Sequence, residues 1–206
     1  MAIEFLAILI PMFIIIEPFS VLPIYLVLTR DMEKQARVKT LKYSVIFASA
    51  VLIAFALVGK AILDYLSVSI EALMISGGLL LLVVGVTMLY EGDTPRSRRK
   101  DAEEPDDLKH RPEDIAFVPL GTPMLAGPGA ISVVIILTGT ADMPLVLASL
   151  VIVMLVSALI LWRADLIFKL IGNAGTRALT RVMGLITSAY AVQMILDGIA
   201  DYAASL

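Results

Sequence analysis

A glutamate stands inside an otherwise charge-free stretch at residues 5–29 and is followed at once by proline, in Ile16-Glu17-Pro18-Phe19-Ser20-Val21-Leu22-Pro23, with Pro11 earlier. A second run, Pro119-Leu120-Gly121-Thr122-Pro123-Met124-Leu125-Ala126-Gly127-Pro128-Gly129-Ala130, carries no charge but concentrates the same helix breakers. Proline removes a backbone donor and clashes with the preceding turn, and glycine lets the chain unwind. Each run therefore predicts two half-helices joined by extended backbone. With Pro18 and Pro128 in the first turn of the second half, the amides that follow lack helical acceptors and can hold an anion, helped by the half-helix dipoles and the Ser20 hydroxyl. Carbonyls ending the first halves, around 15–17 and 125–127, can accept from an ammonium group. A zwitterion satisfies both ends. The candidate binding residues are Glu17, Pro18, Phe19, Ser20, Ala126, Gly127, Pro128, Gly129 and Ala130.

Glu17 is the one ionisable group well inside an apolar run, and such a residue is by default a functional candidate. It can carry a coupling proton or pair with a substrate amine. The structural alternative is a protonated carboxyl bonded to a freed backbone amide. Thr87, Thr122 and Gln193 are polar groups at membrane depth that either line a path or bond between helices. Glu91 and Asp197, at the ends of apolar runs, read as interfacial caps or gate elements, and Gly77, Gly78 and Gly184 read as close-packing positions. No catalytic set is apparent. With no cysteine and a single histidine, His110, there is no basis for a disulfide, a cysteine nucleophile or a zinc site, and no cofactor is expected. A serine-type intramembrane hydrolase needs a base beside a buried serine, and an aspartyl one needs two buried carboxylates. The chain is therefore expected not to be an enzyme.

The elements that must hold these residues are membrane helices. Of the 206 residues 59% are apolar and 17% charged, and the mean hydropathy of +0.93 excludes an ordinary soluble globule. The formal charge of -3 gives no case for a nucleic-acid partner. A charge at the centre of a membrane helix costs about 2.5–3.5 kcal/mol on insertion scales, so charge-free runs mark the spans. There are six: 5–29, 43–59, 72–90, 115–141, 143–162 and 182–196, the last extending back past Arg181 to Ala178. The second is short for a crossing and the fourth too long for a straight one. Met-Ala-Ile-Glu lacks the flank of a signal peptide, so the first run is expected to stay in the mature protein.

Basic residues fall in alternate connections. The first holds Arg30, Lys34, Arg37, Lys39 and Lys42; the third holds Arg96, Arg98, Arg99, Lys100, Lys109 and Arg111; the fifth holds Arg163, Lys169, Arg177 and Arg181. Lys60 alone lies in an even one. The positive-inside rule then puts loops one, three and five in the cytoplasm and both termini outside, in a multi-pass protein of the cell membrane. The third connection, a basic half followed by an acidic half, reads as a solvated linker containing His110. Residues 167–171 read as a short amphipathic piece at the interface.

A shift of 106 residues pairs the third span with the sixth. Ala72 and Leu73 meet Ala178 and Leu179, Gly78 and Leu79 meet Gly184 and Leu185, Val86, Met88 and Gly92 meet Val192, Met194 and Gly198, and Glu91 falls on Asp197. Three spans separate the copies, so they cross in opposite directions. The expected fold is all-α, with six transmembrane helices as two inverted three-helix repeats, residues 1–92 and 115–206, joined by a charged linker at 93–114. The first and fourth helices are expected to be broken near the midplane, where inverted-repeat transporters place their sites.

Three stretches together resemble the MarC family of six-span membrane proteins, which includes small neutral amino-acid transporters. Glu17-Pro18-Phe19-Ser20-Val21-Leu22-Pro23 is similar to the family's Asp-Pro-Phe-Gly-Asn-Leu-Pro, with Glu17 for Asp, Ser20 for Gly and Val21 for Asn. The others are Pro123-Met124-Leu125-Ala126-Gly127-Pro128-Gly129-Ala130-Ile131, and Ala178-Leu179-Thr180-Arg181-Val182-Met183-Gly184 continuing to Val192-Gln193-Met194-Ile195-Leu196-Asp197-Gly198. The resemblance implies secondary transport of small neutral amino acids such as glycine and alanine, with H+ as the coupling ion. An uncoupled exporter or facilitator is the alternative within transport. A channel subunit or scaffold is a third class, which would show no saturable binding.

Overall fold

Long charge-free runs with few breakers have one way to satisfy their backbone in lipid, and all regular structure among the described residues is helical. The computed structural model describes residues 2–30, 32–90 and 112–205. In order these form α1 (Ala2–Ile16), α2 (Pro18–Leu28), α3 (Lys34–Tyr65), α4 (Ile70–Tyr90), α5 (Pro112–Ile115), an irregular wide-turned segment (Ala116–Leu125), α6 (Pro128–Thr140), α7 (Met143–Trp162) and α8 (Ala164–Ala204). Five stretches are long and apolar enough to cross a membrane, taking Ile3–Leu28 as one, and the bent pair Ala116–Leu125 and Pro128–Thr140 makes a sixth. That pair turns through 54°, which is how the run too long for a straight crossing is accommodated.

Two spans are longer than their charge-free runs. α3 begins at Lys34 and carries Arg37, Lys39 and Lys42 on its first turns, so these residues extend a helix and do not form a loop. Lysine, arginine, glutamine and alanine are good helix formers, and their long side chains can reach polar surroundings from a helix that has already entered the apolar layer. α8 likewise absorbs the fifth connection from Ala164 onward, and Lys169, Arg177 and Arg181 all lie on it. Its one interruption is Gly172, at φ 63 and ψ -176. The amphipathic piece at 167–171 is the end of the segment before that break. The linker at 93–114, with His110, lies outside the described residues except for its last three, which belong to α5; Glu91 and Gly92 are also outside.

α4 and α8 lie against each other in opposite directions. Gly78 faces Ala191 and Ile195, Gly85 faces Gly184 and Ser188, and Gly198 faces Glu71 and Met74, so numbers rise on one helix as they fall on the other. A Cβ on Gly85 would come 2.8 Å from the Gly184 carbonyl, and one on Gly184 would come 2.8 Å from the Gly85 carbonyl. Absent side chains let the two backbones approach, which is how helices without a hydrophobic driving force gain packing in lipid. α1, α2 and α3 pack on α7, while α3 also packs on Ala116–Leu125 and α6. The buried centre is built from Met12, Ile16, Leu22, Leu52, Leu125 and Leu150. Leu79, Val83, Leu155, Leu159 and Leu185 point outward, as a lipid-facing surface requires.

Candidate functional site

The first break is a single residue. Glu17 takes the left-handed conformation (φ 48, ψ 56) between α1 and α2, with Pro18 in the first turn of α2, while Pro11 and Pro23 sit inside helices. The extended stretch expected here is absent for a local reason. The Glu17 N–H still donates to the Phe13 carbonyl at 3.2 Å, and the Ser20 and Val21 N–H groups reach the Glu17 carbonyl at 3.0 and 3.4 Å, so one residue absorbs the donor missing at Pro18. Those two amides, expected to face a solute, are thereby engaged. A non-glycine residue in this conformation costs roughly 1–2 kcal/mol, and such strain collects at functional positions.

The Glu17 side chain is only 7% exposed. Its Oε1 accepts a hydrogen bond from the Thr187 hydroxyl, contributed by α8 from 170 residues further along the chain. Phe19 meets Phe13 edge-to-face at 6.1 Å between ring centroids. The Ser20 hydroxyl is buried without a hydrogen-bond partner among the described residues, and leaving such a group unpaired costs about 1–3 kcal/mol. It is available to a bound polar group.

The second break is unwound, as its glycines and prolines predict. Val118 (φ -137, ψ 121) and Thr122 (φ -132, ψ 137) are extended, each preceding a cis proline, and Ala126 and Gly127 leave helical geometry before Pro128 opens α6. Gly127 is required sterically, since a Cβ there would lie 2.7 Å from the Pro123 carbonyl oxygen. Gly129 is covered by the Leu81 side chain of α4. Ala126, Gly129 and Ala130 are buried, whereas Gly127 is half-buried and Pro128 exposed.

The elements flanking one break touch those flanking the other: α1 packs on α6, and α2 packs on Ala116–Leu125. The helices that carry the nine candidate binding residues are thus packed on one another. The three path-lining candidates bond within their own segments: Thr87 Oγ1 donates to the Val84 carbonyl at 2.7 Å, Thr122 Oγ1 to the Phe117 carbonyl at 3.4 Å, and Gln193 Nε2 to Asp197 Oδ1 at 2.7 Å. Gln193 and Asp197 lie on the exposed side of α8. Two residues missed by the sequence reading cover the breaks, Thr187 over the first and Leu81 over the second. Among the described residues no group of three His, Cys, Asp or Glu could hold a metal.

The family model for MarC family integral membrane proteins matches residues 3–203. The chain belongs to the MarC family. Among its MarC relatives, a UPF0056 membrane protein of Methanocaldococcus jannaschii is 38% identical over 91% of both chains. Another from Archaeoglobus fulgidus is 33% identical over 95% of this chain and 92% of its own. One from Buchnera aphidicola, of the Schizaphis graminum subspecies, is 31% identical over 95% and 96%. No solved structure matches this MarC chain. It is an integral membrane protein with several apolar helices.

Proposed function

We propose that the protein is a secondary transporter that carries small neutral amino acids, glycine and alanine among them, across the cell membrane by alternating access, with Glu17 coupling the cycle to a proton. The observation that carries this reading is the meeting of two broken helices, one presenting a buried carboxylate and the other an unwound Gly-Pro-Gly. Irregular backbone at membrane depth persists only inside protein or beside a wet cavity, and paired broken helices are a recurrent way of building a transport site. The Glu17 carboxylate and the Ala126 carbonyl suit an ammonium group; the first-turn amides of α6 and the Ser20 hydroxyl suit a carboxylate. Ala126, Gly127, Gly129 and Ala130 line the remainder with little bulk, in keeping with a small solute. Amine and proton compete for one carboxylate, which is the exchange a coupled cycle uses.

Two inverted halves, residues 1–92 and 115–206, account for the packing. A shift of 106 takes Gly78 to Gly184 and Gly85 to Ala191, so it converts the Gly78–Ala191 contact into the Gly184–Gly85 contact, and both occur. The same shift carries Leu81, over the second break, to Thr187, over the first.

Counterflow in proteoliposomes tests the reading. Labelled glycine should exchange saturably, and an inward pH gradient should drive its accumulation. Uptake indifferent to the gradient would leave an uncoupled facilitator or exporter, and uptake that never saturates would end the transporter reading. Glu17→Gln should abolish gradient-driven accumulation at normal expression.

A further inference from the structure

We infer that residues 164–171 are a lid, hinged at Gly172 and latched by Asp165 on Arg37, which closes one end of the solute path over Tyr25. The inference deepens the transport reading above and rests on it for what the path carries. The buried residues of α2 are Pro18, Val21, Leu22 and Tyr25, spaced so that they form one continuous face. That face begins at Glu17 and ends at Tyr25, two helical turns on. Arg37, at the start of α3, covers its end. The guanidinium lies 5.1 Å from the centre of the Tyr25 ring, and the Tyr25 hydroxyl donates to the Arg37 carbonyl at 3.4 Å.

On the far side of Arg37 stands Asp165, 2.7 Å from Nη1. The two side chains are 21% and 61% exposed, so the pair holds by contact at a wet surface and can be broken at little cost. α8 therefore reaches the two ends of α2, Thr187 at Glu17 just before it and Asp165 indirectly through Arg37 of α3, and Gly172 lies between these two contacts in sequence. At φ 63 and ψ -176 this glycine occupies a conformation essentially closed to other residues, with nothing within 4 Å of an added Cβ. No packing requires glycine there; only the bend does. The lid rests on the core through Ile167 and Phe168, and Leu166 and Leu170 face outward. A second ion pair on the same side, Lys39 Nζ to Glu113 Oε1 at 2.6 Å, ties α3 to α5. At the other end of α1 lies a cavity of about 470 Å³ lined by Glu4, Ile8, Thr140, Asp142 and Leu145.

The absence of native cysteine makes the test direct. Leu22→Cys places a lone thiol on the covered face between Glu17 and Tyr25, and its reaction with a membrane-impermeant maleimide is timed in sealed vesicles of both orientations. Adding Asp165→Asn should speed labelling from the lid side roughly fivefold, the size of an exposed ion pair's effect on an open–closed equilibrium, without changing it from the other side. Gly172→Ala should do so more strongly. Asp165→Glu, which keeps the charge and leaves Arg37 on Tyr25, should keep labelling slower than Asp165→Asn does. Unchanged rates in Asp165→Asn, acceleration from both sides alike, or Asp165→Glu accelerating labelling as much as Asp165→Asn would each overturn the lid. If Gly172→Ala does not fold, the charge variants decide alone. Labelling needs no substrate, so a lid without glycine counterflow would refute the solute assignment and not the hinge.

Discussion

Glu17 combines three costs that seldom meet in one residue: a left-handed backbone, burial inside an apolar span, and a carboxyl group with a single side-chain partner among the described residues. Thr187 is that partner, and replacing it tests whether the contact matters. Thr187→Val keeps the shape and removes the donor, so it should lower stability in detergent by about 1–3 kcal/mol, the cost of leaving a buried polar group unpaired. In a Glu17→Leu background the same change should cost much less, because contacting residues are not additive. Equal losses in both backgrounds would mean that the hydroxyl serves α8 alone. Glu17 was legible in the sequence because a charge inside an apolar run stands out. Thr187 was not, since nothing in the sequence ties a threonine in α8 to a carboxylate 170 residues away. Its one signal is its place among Met183, Gly184, Ala191 and Met194 on the buried face of α8.

At the level of elements, prolines and glycines announced both breaks but not how far each unwinds. The first closes within one residue because backbone donors around Pro18 find acceptors nearby; the second, with two prolines ahead of Gly127, cannot. α3 and α8 both run past their charge-free stretches for one reason: charge marks where a membrane ends, not where a helix does. Gly172 interrupts α8 through backbone conformation alone, which residue type suggests and cannot specify. At the close junction of α4 on α8, backbone as well as side chains stand against an added side chain, and at Gly184 the Gly85 carbonyl is among the nearest atoms. Gly184→Val should therefore destabilise the protein by about 1–3 kcal/mol through overpacking. Val83→Ala, on the outward face of α4, should stay within about 0.5 kcal/mol. Comparable losses in thermal unfolding for the two would argue against the α4–α8 contact.

For the whole molecule, the multi-pass helical character was readable from charge-free runs, and the placing of basic residues sets an expected sidedness, because lipid penalises charge more uniformly than any fold does. That sidedness is testable with single thiols in intact cells. Ser67→Cys and Ser205→Cys should react with an impermeant maleimide, whereas Ser97→Cys should react only after permeabilisation; the reverse pattern would invert the topology. What sequence periodicity alone could not supply was how distant segments meet, since contacts such as those of Leu81 with Gly129 and Thr187 with Glu17 join remote parts of the chain. The account stands on the two breaks serving a single solute, and ligand protection measures that directly. Ser20→Cys and Ala130→Cys, prepared separately, should each be shielded from maleimide by glycine at the same half-protecting concentration. Protection of one thiol with the other indifferent to glycine would contradict it.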